Sequence, residues 1–270
     1  MALSELFEDE LLDHILGVGE WPFDATVFLA LGTDASPNKT TFTEVGAGIG
    51  YTRQAIAFTA AGTDGVTVNS AGTLTFGPCT TTSWGMLKSW AIFDTVSSGM
   101  RIMQGALTDQ TKTVAVGDSV TVAAGAIQVT LTTTPSCVSD VFSEDILDHI
   151  LGTTTMGAYD TTLFLALGSD TTPSRTVFTE ICTAGTLGYN RQAVTFNAAG
   201  TDGIAENAAG TLTFGPNITT NWGAIKSWAV YDTVTGGVRR LQGALTDQTK
   251  IANIGDSVTV AAGAIVITAG

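Results

Sequence analysis

Charged side chains are scarce in this sequence, and basic side chains are the scarcest. Only 13% of the 270 residues are charged, whereas soluble proteins average roughly 25%. Lys and Arg number 11 against 25 Asp and Glu, which gives a net charge of -14. A nucleic-acid-binding protein needs basic groups to displace phosphate counterions, and an anionic membrane surface attracts the same groups. We therefore expect a protein that binds neither nucleic acid nor membranes.

The sequence also lacks the segments that direct export or membrane insertion. Its N-terminus, MALSELFEDELLDHIL, is acidic where a secretory signal is basic. No apolar run approaches the ~20 residues that a membrane-spanning helix needs. We expect a soluble protein without a cleaved signal.

The sequence contains the same module twice. The stretch QGALTDQTK at residues 104–112 recurs unchanged at residues 242–250. The segments FLALG, AGTLTFGP and GDSVTVAAGAI also recur in the same order, and a Thr-, Pro- and Ser-containing join, LTTTPSCVSD, separates the copies. The pattern indicates a tandem duplication, with one domain at residues 1–134 and the other at residues 135–270.

The three cysteines do not follow this repeat. Cys79 corresponds to Asn217 in the second copy, Cys182 has no cysteine counterpart, and Cys137 lies in the join. A disulfide framework would repeat with the module, so we expect three free thiols in a protein that folds in a reducing compartment.

Each copy is predicted to begin with a short amphipathic helix and to continue as β-strands. Ser4 and Ser139 are placed to cap the helices, and apolar residues follow at helical spacing. Short apolar or alternating segments such as VFLAL and TRQAIAF then alternate with Gly- and Asp-containing turns. The predicted fold is mainly β: two tandem antiparallel β-sandwich domains, each preceded by a short N-terminal amphipathic helix.

No combination of residues indicates catalysis. The two histidines, His14 and His149, occupy equivalent positions, so neither module holds a His pair for zinc or for a proton relay. The Asp residues in GTDG and GDS are typical of turns and lack the alternating oxygen ligands of a calcium loop. Nucleophile elbows, Walker loops and dinucleotide-binding fingerprints are missing. We predict a protein without catalytic residues, metal site or cofactor.

The repeated tryptophans and arginines have structural interpretations. We expect the tryptophans in the core rather than on a sugar-stacking surface. Each repeated arginine is expected to pair with a repeated acid such as Asp94 or Asp232, either inside the module or across an interface. The matched residues are Trp84 with Trp222, Trp90 with Trp228, Arg53 with Arg191, and Arg101 with Arg239.

The segments of the module follow a distinctive order: LLDHILG, FLALG, GYxRQA, WG…SWAIFD, GALT and GDSVTVAAGAIxVT. This order resembles that of small virion proteins of tailed bacteriophages, which are described as tail-fibre-like or capsid decoration proteins. The likeness covers residues 6–131 and 141–268. It implies a non-enzymatic β-sandwich that is assembled in many copies on a virus particle. This chain departs from the usual pattern because it fuses two modules.

Two fused modules present two similar surfaces at a fixed spacing, which can raise avidity by roughly 10²–10⁴-fold. Segments that differ between the copies are candidates for contact with non-equivalent neighbours, and neutral loop drift is the alternative explanation. The candidate partner-contact residues are Trp21, Phe23, Met100, Met103, Met156, Tyr159, Arg239 and Arg240.

These observations predict a structural virion protein that folds in the host cytoplasm. The favoured hypothesis is a capsid decoration or cement protein that bridges subunits on the outside of the head. Its partners would be other virion proteins, above all the major capsid protein, and further copies of itself as a homo-oligomer. The alternative is a tail fibre or receptor-binding module that recognises host-surface glycans. A small enzyme has the least support.

Overall fold

A computed structural model describes most of both copies. The described residues are 2–3, 11, 14, 16, 26–38, 40–61, 66–70, 72–130, 146, 149, 151, 162–174, 176–199, 204–208 and 210–268. The chain divides into two compact units. Unit 1 consists of Met1–Glu8, Pro22–Leu131 and Glu144–Met156, and unit 2 consists of Asp9–Trp21, Thr132–Ser143 and Gly157–Gly270. The predicted domain limits, residues 1–134 and 135–270, stay a prediction.

The described residues of unit 1 form one five-stranded antiparallel sheet and three two-stranded ribbons. Its strands are β1 (Ala2–Leu3), β2 (Val27–Gly32), β3 (Gln54–Ile56), β4 (Val66–Val68), β5 (Leu74–Phe76), β6 (Gly85–Met86), β7 (Ser89–Phe93), β8 (Arg101–Ala106), β9 (Thr113–Val114), β10 (Val120–Val122) and β11 (Gln128–Thr130). The sheet has the order β1-β8-β7-β2-β3, and the ribbons pair β5 with β10, β4 with β11, and β6 with β9.

Unit 2 repeats this arrangement with a four-stranded sheet among the described residues. Its strands are β12 (Leu163–Gly168), β13 (Gln192–Val194), β14 (Ile204–Glu206), β15 (Leu212–Phe214), β16 (Gly223–Ala224), β17 (Ser227–Tyr231), β18 (Arg239–Ala244), β19 (Ile251–Ala252), β20 (Val258–Val260) and β21 (Val266–Thr268). The sheet has the order β13-β12-β17-β18, and the ribbons pair β14 with β21, β15 with β20, and β16 with β19. The prediction of a mainly β chain in two tandem antiparallel halves is confirmed. The packing of the sheets into a sandwich stays a prediction.

The apolar runs of the two copies form the inner strands of the sheets. Five of the six residues of β2 are buried, and the same five positions are buried in β12. Each of these strands lies between two neighbours: β7 and β3 flank β2, and β17 and β13 flank β12. A strand that is covered on both faces needs apolar side chains on both, which explains the continuous run FLALG.

The predicted opening helices lie largely outside the described residues. Leu11 and His14 in the first copy are helical, as are Ile146 and His149 in the second copy. These four side chains are buried. The capping residues Ser4 and Ser139 belong to the part of the chain that the structure does not describe. The helices therefore stay a prediction.

The repeated tryptophans are buried, as the sequence predicts, and one of them in each unit explains a repeated glycine. Trp90 packs over Gly105, where an added Cβ atom would lie 2.6 Å from the indole ring. The equivalent distance from Gly243 to Trp228 is 2.5 Å. Since real Cβ atoms do not approach other atoms so closely, the sequence QGAL needs glycine at this position.

The loop that follows this glycine is held by the same hydrogen bonds in both copies. Asp109 accepts hydrogen bonds from the backbone N–H of Thr111 at 3.0 Å and from its hydroxyl group at 2.6 Å. The amide group of Gln110 donates to the carbonyl oxygen of Ala35 at 3.0 Å. Asp247 and Gln248 make the matching bonds in unit 2. These contacts explain why Asp, Gln and Thr recur at the same positions of QGALTDQTK in both copies.

Candidate functional site

A polar cluster recurs at one position in each unit. We call it the arginine cluster and define it in unit 1 as Glu44, Tyr51, Arg53 and Phe93. Glu44 is bridged to Gly32 at the end of β2, while Tyr51 and Arg53 lie just before β3. The pairing of these segments brings together three side chains that are separated by up to nine residues in the sequence.

The guanidinium group of Arg53 uses all three of its nitrogen atoms within the cluster. Nε lies 2.9 Å from Oε1 of Glu44, and Nη2 lies 2.8 Å from Oε2, which gives a bidentate ion pair. Nη1 donates to the carbonyl oxygens of Thr95 at 2.9 Å and Ser98 at 2.6 Å. The guanidinium carbon lies 3.5 Å from the ring centroid of Phe93. Arg53 thus ties the turn between β7 and β8 to the segment that precedes β3.

Tyr51 joins this ion pair to the apolar core. Its hydroxyl group donates to Oε1 of Glu44 at 3.0 Å and accepts a hydrogen bond from the backbone N–H of Leu31 at 2.8 Å. The ring stacks on Phe76 and meets Trp84 edge-on. Burial raises the pKa of Tyr51 far above its ordinary value, so the group stays protonated and serves as a hydrogen-bond donor.

Unit 2 contains the same cluster, formed by Glu180, Tyr189, Arg191 and Tyr231. Arg191 lies 3.0 Å and 2.9 Å from the two carboxylate oxygens of Glu180. It also donates to the carbonyl oxygens of the following turn, and its guanidinium carbon lies 3.5 Å from the Tyr231 ring centroid. Burial raises the pKa of Tyr189 and of Tyr231. The phenylalanine of unit 1 is thus replaced by a tyrosine that keeps the aromatic face.

Arg53 and Arg191 each pair with a repeated acid, as expected, but the acids are Glu44 and Glu180 rather than Asp94 and Asp232. Asp94 does not pair with Arg53; it accepts a hydrogen bond from the backbone N–H of Met100 at 2.8 Å and closes the β7–β8 turn. Asp232 has the same role with the N–H of Val238 at 2.9 Å. The carboxylates that do pair belong to the shared segments TFTEV and VFTEI, where Glu44 and Glu180 are repeated. That repetition makes Glu44 and Glu180 candidates in the sequence, but it does not distinguish them from the equally repeated Asp94 and Asp232.

A small cleft borders the arginine cluster of unit 2. It encloses about 210 Å³ and is lined by Glu180, Cys182, Thr183, Ala184, Arg191, Thr235 and Gly236. Ligand sites usually exceed about 300 Å³. Burial and the nearby carboxylate of Glu180 raise the pKa of the Cys182 thiol, which keeps it protonated and weakly nucleophilic. Because Glu180 and Arg191 already bind each other, the cleft offers a ligand little unused bonding capacity.

Free thiols are confirmed for the two cysteines that the structure describes. Cys79 is buried and Cys182 is partly exposed. Cys137 lies outside the described residues.

The candidate partner-contact residues fall into three groups. Met100 and Arg239 are half-buried, and Arg239 lies over the ring of Phe178. Met103 and Arg240 are buried, with 1% and 8% of their surface exposed. The remaining four lie outside the described residues: Trp21, Phe23, Met156 and Tyr159. That this set contacts a partner stays a prediction.

Two further properties bear on possible functions. Among the described residues, no three or more His, Cys, Asp and Glu side chains gather as a metal site would require. In the same part of the chain, no helix combines the length and the apolar character that crossing a bilayer demands.

Comparison with known proteins identifies the module. The family model described as podophage GP4 fiber I protein gp80 matches residues 2–130 and matches again at residues 137–268. A search of curated proteins finds no match. The two adjacent matches span nearly the whole chain and agree with the tandem duplication and with the resemblance to phage virion proteins. The chain therefore belongs to the podophage GP4 fibre I protein gp80 family and is a bacteriophage structural virion protein that carries the family's module twice.

Proposed function

We propose that the chain is a structural component of a podophage tail fibre and that it works by protein contact rather than by catalysis. The observation that carries this proposal is the match of both copies to a family described as a fibre protein. The head-decoration hypothesis explains the duplication equally well, but the family description favours the fibre.

The geometry of the arginine clusters supports a mechanical role. In each unit the arginine links a glutamate, an aromatic ring and two carbonyl oxygens of a turn. Charge-assisted bonds of this kind hold a surface turn in one conformation. Two β-sandwich units with fixed turns would suit a protein that holds its neighbours at a set spacing.

The chemistry of the same clusters supports a non-enzymatic role. A catalytic acid or base needs a proton that it can exchange near neutral pH. Tyr51 and Tyr189 have pKa values raised well away from that range, and their hydroxyl groups are bonded to Glu44 and Glu180. These glutamates in turn accept hydrogen bonds from Arg53 and Arg191.

For the partners, we propose other virion proteins. The half-buried Met100 stands where unit 2 has Val238, so it is a described candidate for a copy-specific contact. Arg239 is half-buried as well, but Arg101 occupies the equivalent position of unit 1. Met103 and Arg240 are less suited to direct contact because they are buried.

Location of the chain on intact particles tests this proposal. Antibody fragments against the purified chain are bound to virions and imaged by electron microscopy, with particles that lack the gene for the chain as the control. We expect labelling of the tail fibres. Labelling that follows the capsomers of the head would overturn the proposal in favour of capsid decoration. Labelling of neither would exclude an exposed virion position.

A further inference from the structure

Each compact unit contains a segment that comes from the other copy of the module. Unit 1 includes Glu144–Met156, which belongs to the second copy, and unit 2 includes Asp9–Trp21, which belongs to the first copy. We call these two ranges the crossing segments. The remainder of residues 1–131 lies in unit 1, and the remainder of residues 132–270 lies in unit 2.

The two crossing segments occupy equivalent positions in the repeat. The stretch LLDHILG begins at Leu11, and its counterpart ILDHILG begins at Ile146, so Asp9–Trp21 and Glu144–Met156 correspond residue for residue. Two segments that belonged to a unit by accident would not share the same limits. Equal limits in both directions are the pattern of a domain swap, in which two identical subunits give each other the same element.

The described residues of the crossing segments are buried. Leu11 and His14 are helical in one segment, and Ile146 and His149 are helical in the other. Their spacing places the two residues of each pair on the same face of a helix. The buried positions are the same in both segments: Leu11, His14 and Leu16 in the first, and Ile146, His149 and Leu151 in the second. Each crossing segment is therefore part of a packed interior and more than a connection.

The chain on both sides of a crossing segment belongs to one unit. In the first copy, β1 pairs with β8, with Ala2 opposite Gln104, and the chain enters β2 of the same unit at Val27. Only the segment between these strands is part of unit 2. Residues 1–131 thus supply a nearly complete unit 1 that lacks one buried element, and Glu144–Met156 supplies an element of that kind.

Fusion of the two modules favours such an arrangement. If the modules were separate chains, a swap would require two chains to meet in solution. Within one chain the second module is present at an effective concentration on the order of mM when the connection is short and flexible. The tandem duplication therefore gives each module a permanent partner.

We propose that the two modules are joined by a reciprocal swap of their crossing segments, so that Glu144–Met156 stabilises unit 1 and Asp9–Trp21 stabilises unit 2. Each unit then depends on the other copy for a buried part of its interior, and neither copy of the sequence forms a complete unit by itself. The inference goes beyond the proposed function, because it holds equally for a chain on the fibre and for a chain on the head.

Hydrogen–deuterium exchange of the full-length chain tests the proposal. Ile146→Ala removes a buried side chain from the crossing segment of unit 1. We expect hydrogen exchange of β2 and β7 to become faster by about tenfold or more, with a smaller change in β12 and β17, although Ile146 belongs to the second copy. Mass spectrometry separates the two units because VFLALG differs from LFLALG, and SWAIF from SWAVY.

A matched control lies in the same copy of the sequence. Ile267 is also a buried isoleucine, with 3% of its surface exposed, and it lies on β21 of unit 2. Ile267→Ala should therefore accelerate hydrogen exchange of β12 and β17 more than that of β2 and β7. The reciprocal variant, Leu11→Ala, should also act more strongly on β12 and β17, whereas Val129→Ala on β11 should act on β2 and β7.

The comparison between the units decides the result. A larger effect of Ile146→Ala on unit 1 than on unit 2, together with the opposite order for Ile267→Ala, supports the swap. An effect of Ile146→Ala that is equal in both units, or larger in unit 2, overturns it. If Ile146→Ala prevents folding, Ile146→Val removes a single methyl group, and the same comparison is made with an expected acceleration of about two- to tenfold in unit 1.

Discussion

At the scale of single residues, some glycines that occur in both copies are required by close packing rather than by the backbone conformation of a turn. Gly105 and Gly243 have ordinary backbone angles, yet neither has room for a methyl group, because the indole rings of Trp90 and Trp228 cover them. Other glycines have open space around them; Gly46, for example, has no atom within 4 Å of an added Cβ. The two kinds of glycine therefore differ in what they contribute to stability.

Gly105→Ala should lower the free energy of unfolding by about 1–3 kcal/mol, since a Cβ atom 2.6 Å from the Trp90 ring forces the ring or the strand to move. Gly46→Ala, the control, should stay within about 0.5 kcal/mol of the wild type. Urea denaturation followed by tryptophan fluorescence measures both values. Equal effects of the two substitutions would contradict the steric explanation.

Residue pairing also shows what the sequence could not predict. Burial of Trp84 and Trp222 follows from their size and from their place among strand residues, and it was predicted correctly. Which repeated acid pairs with Arg53 was not predicted, because Asp94, which directly follows Phe93, looks as suitable in the sequence as Glu44 does. The choice of Glu44 depends on its bridge to Gly32, a long-range pairing that sequence periodicity does not reveal.

At the scale of elements, the strands that were easiest to predict are those with apolar side chains on both faces. FLALG forms an inner strand in each unit, and the side chains on both of its faces are largely buried, which explains its continuous apolar character. The exposed apolar character of Ile218 and Ile251 could not be predicted in the same way. A lone isoleucine in a strand pattern is normally assigned to the core, and only the three-dimensional structure shows which face it occupies.

The arginine cluster controls one element in particular, the turn between β7 and β8. Arg53→Lys removes the bidentate contact with Glu44, and a lysine cannot also reach both carbonyl oxygens of the turn. We expect the free energy of unfolding to fall by about 2 kcal/mol. Hydrogen exchange of residues 95–99 should become faster, because the turn loses its anchor.

Arg191→Lys provides the matched comparison, since it should affect residues 233–237 and leave residues 95–99 unchanged. Hydrogen–deuterium exchange with mass spectrometry resolves the two turns in the same sample. If both turns exchange at the wild-type rate in Arg53→Lys, the cluster does not hold the turn.

At the scale of the whole molecule, duplication has produced two units with the same buried clusters and different surfaces. The pairs Tyr51–Glu44 and Tyr189–Glu180 are equivalent, with hydroxyl–carboxylate distances of 3.0 and 2.8 Å. Some exposed positions differ, in contrast: Ile218 and Ile251 of unit 2 stand where unit 1 has Thr80 and Thr113. Shared interiors should make the two units respond alike to solution conditions.

The buried tyrosines make this common response measurable as a dependence on pH. Burial raises the pKa of Tyr51 and of Tyr189 in the folded chain above the value of about 10 in the unfolded chain. Their contribution to stability is therefore complete below pH ~10 and falls as the pH rises further, because the unfolded chain releases these protons more easily. We expect both units to lose stability together in alkaline solution, with the tyrosinate absorbance rising as they unfold. In the double variant Tyr51→Phe/Tyr189→Phe this loss of stability in alkaline solution should be smaller. The explanation would be contradicted if all tyrosines of the wild-type chain ionised at their ordinary pKa while the chain stayed folded, because the clusters would then be open to water.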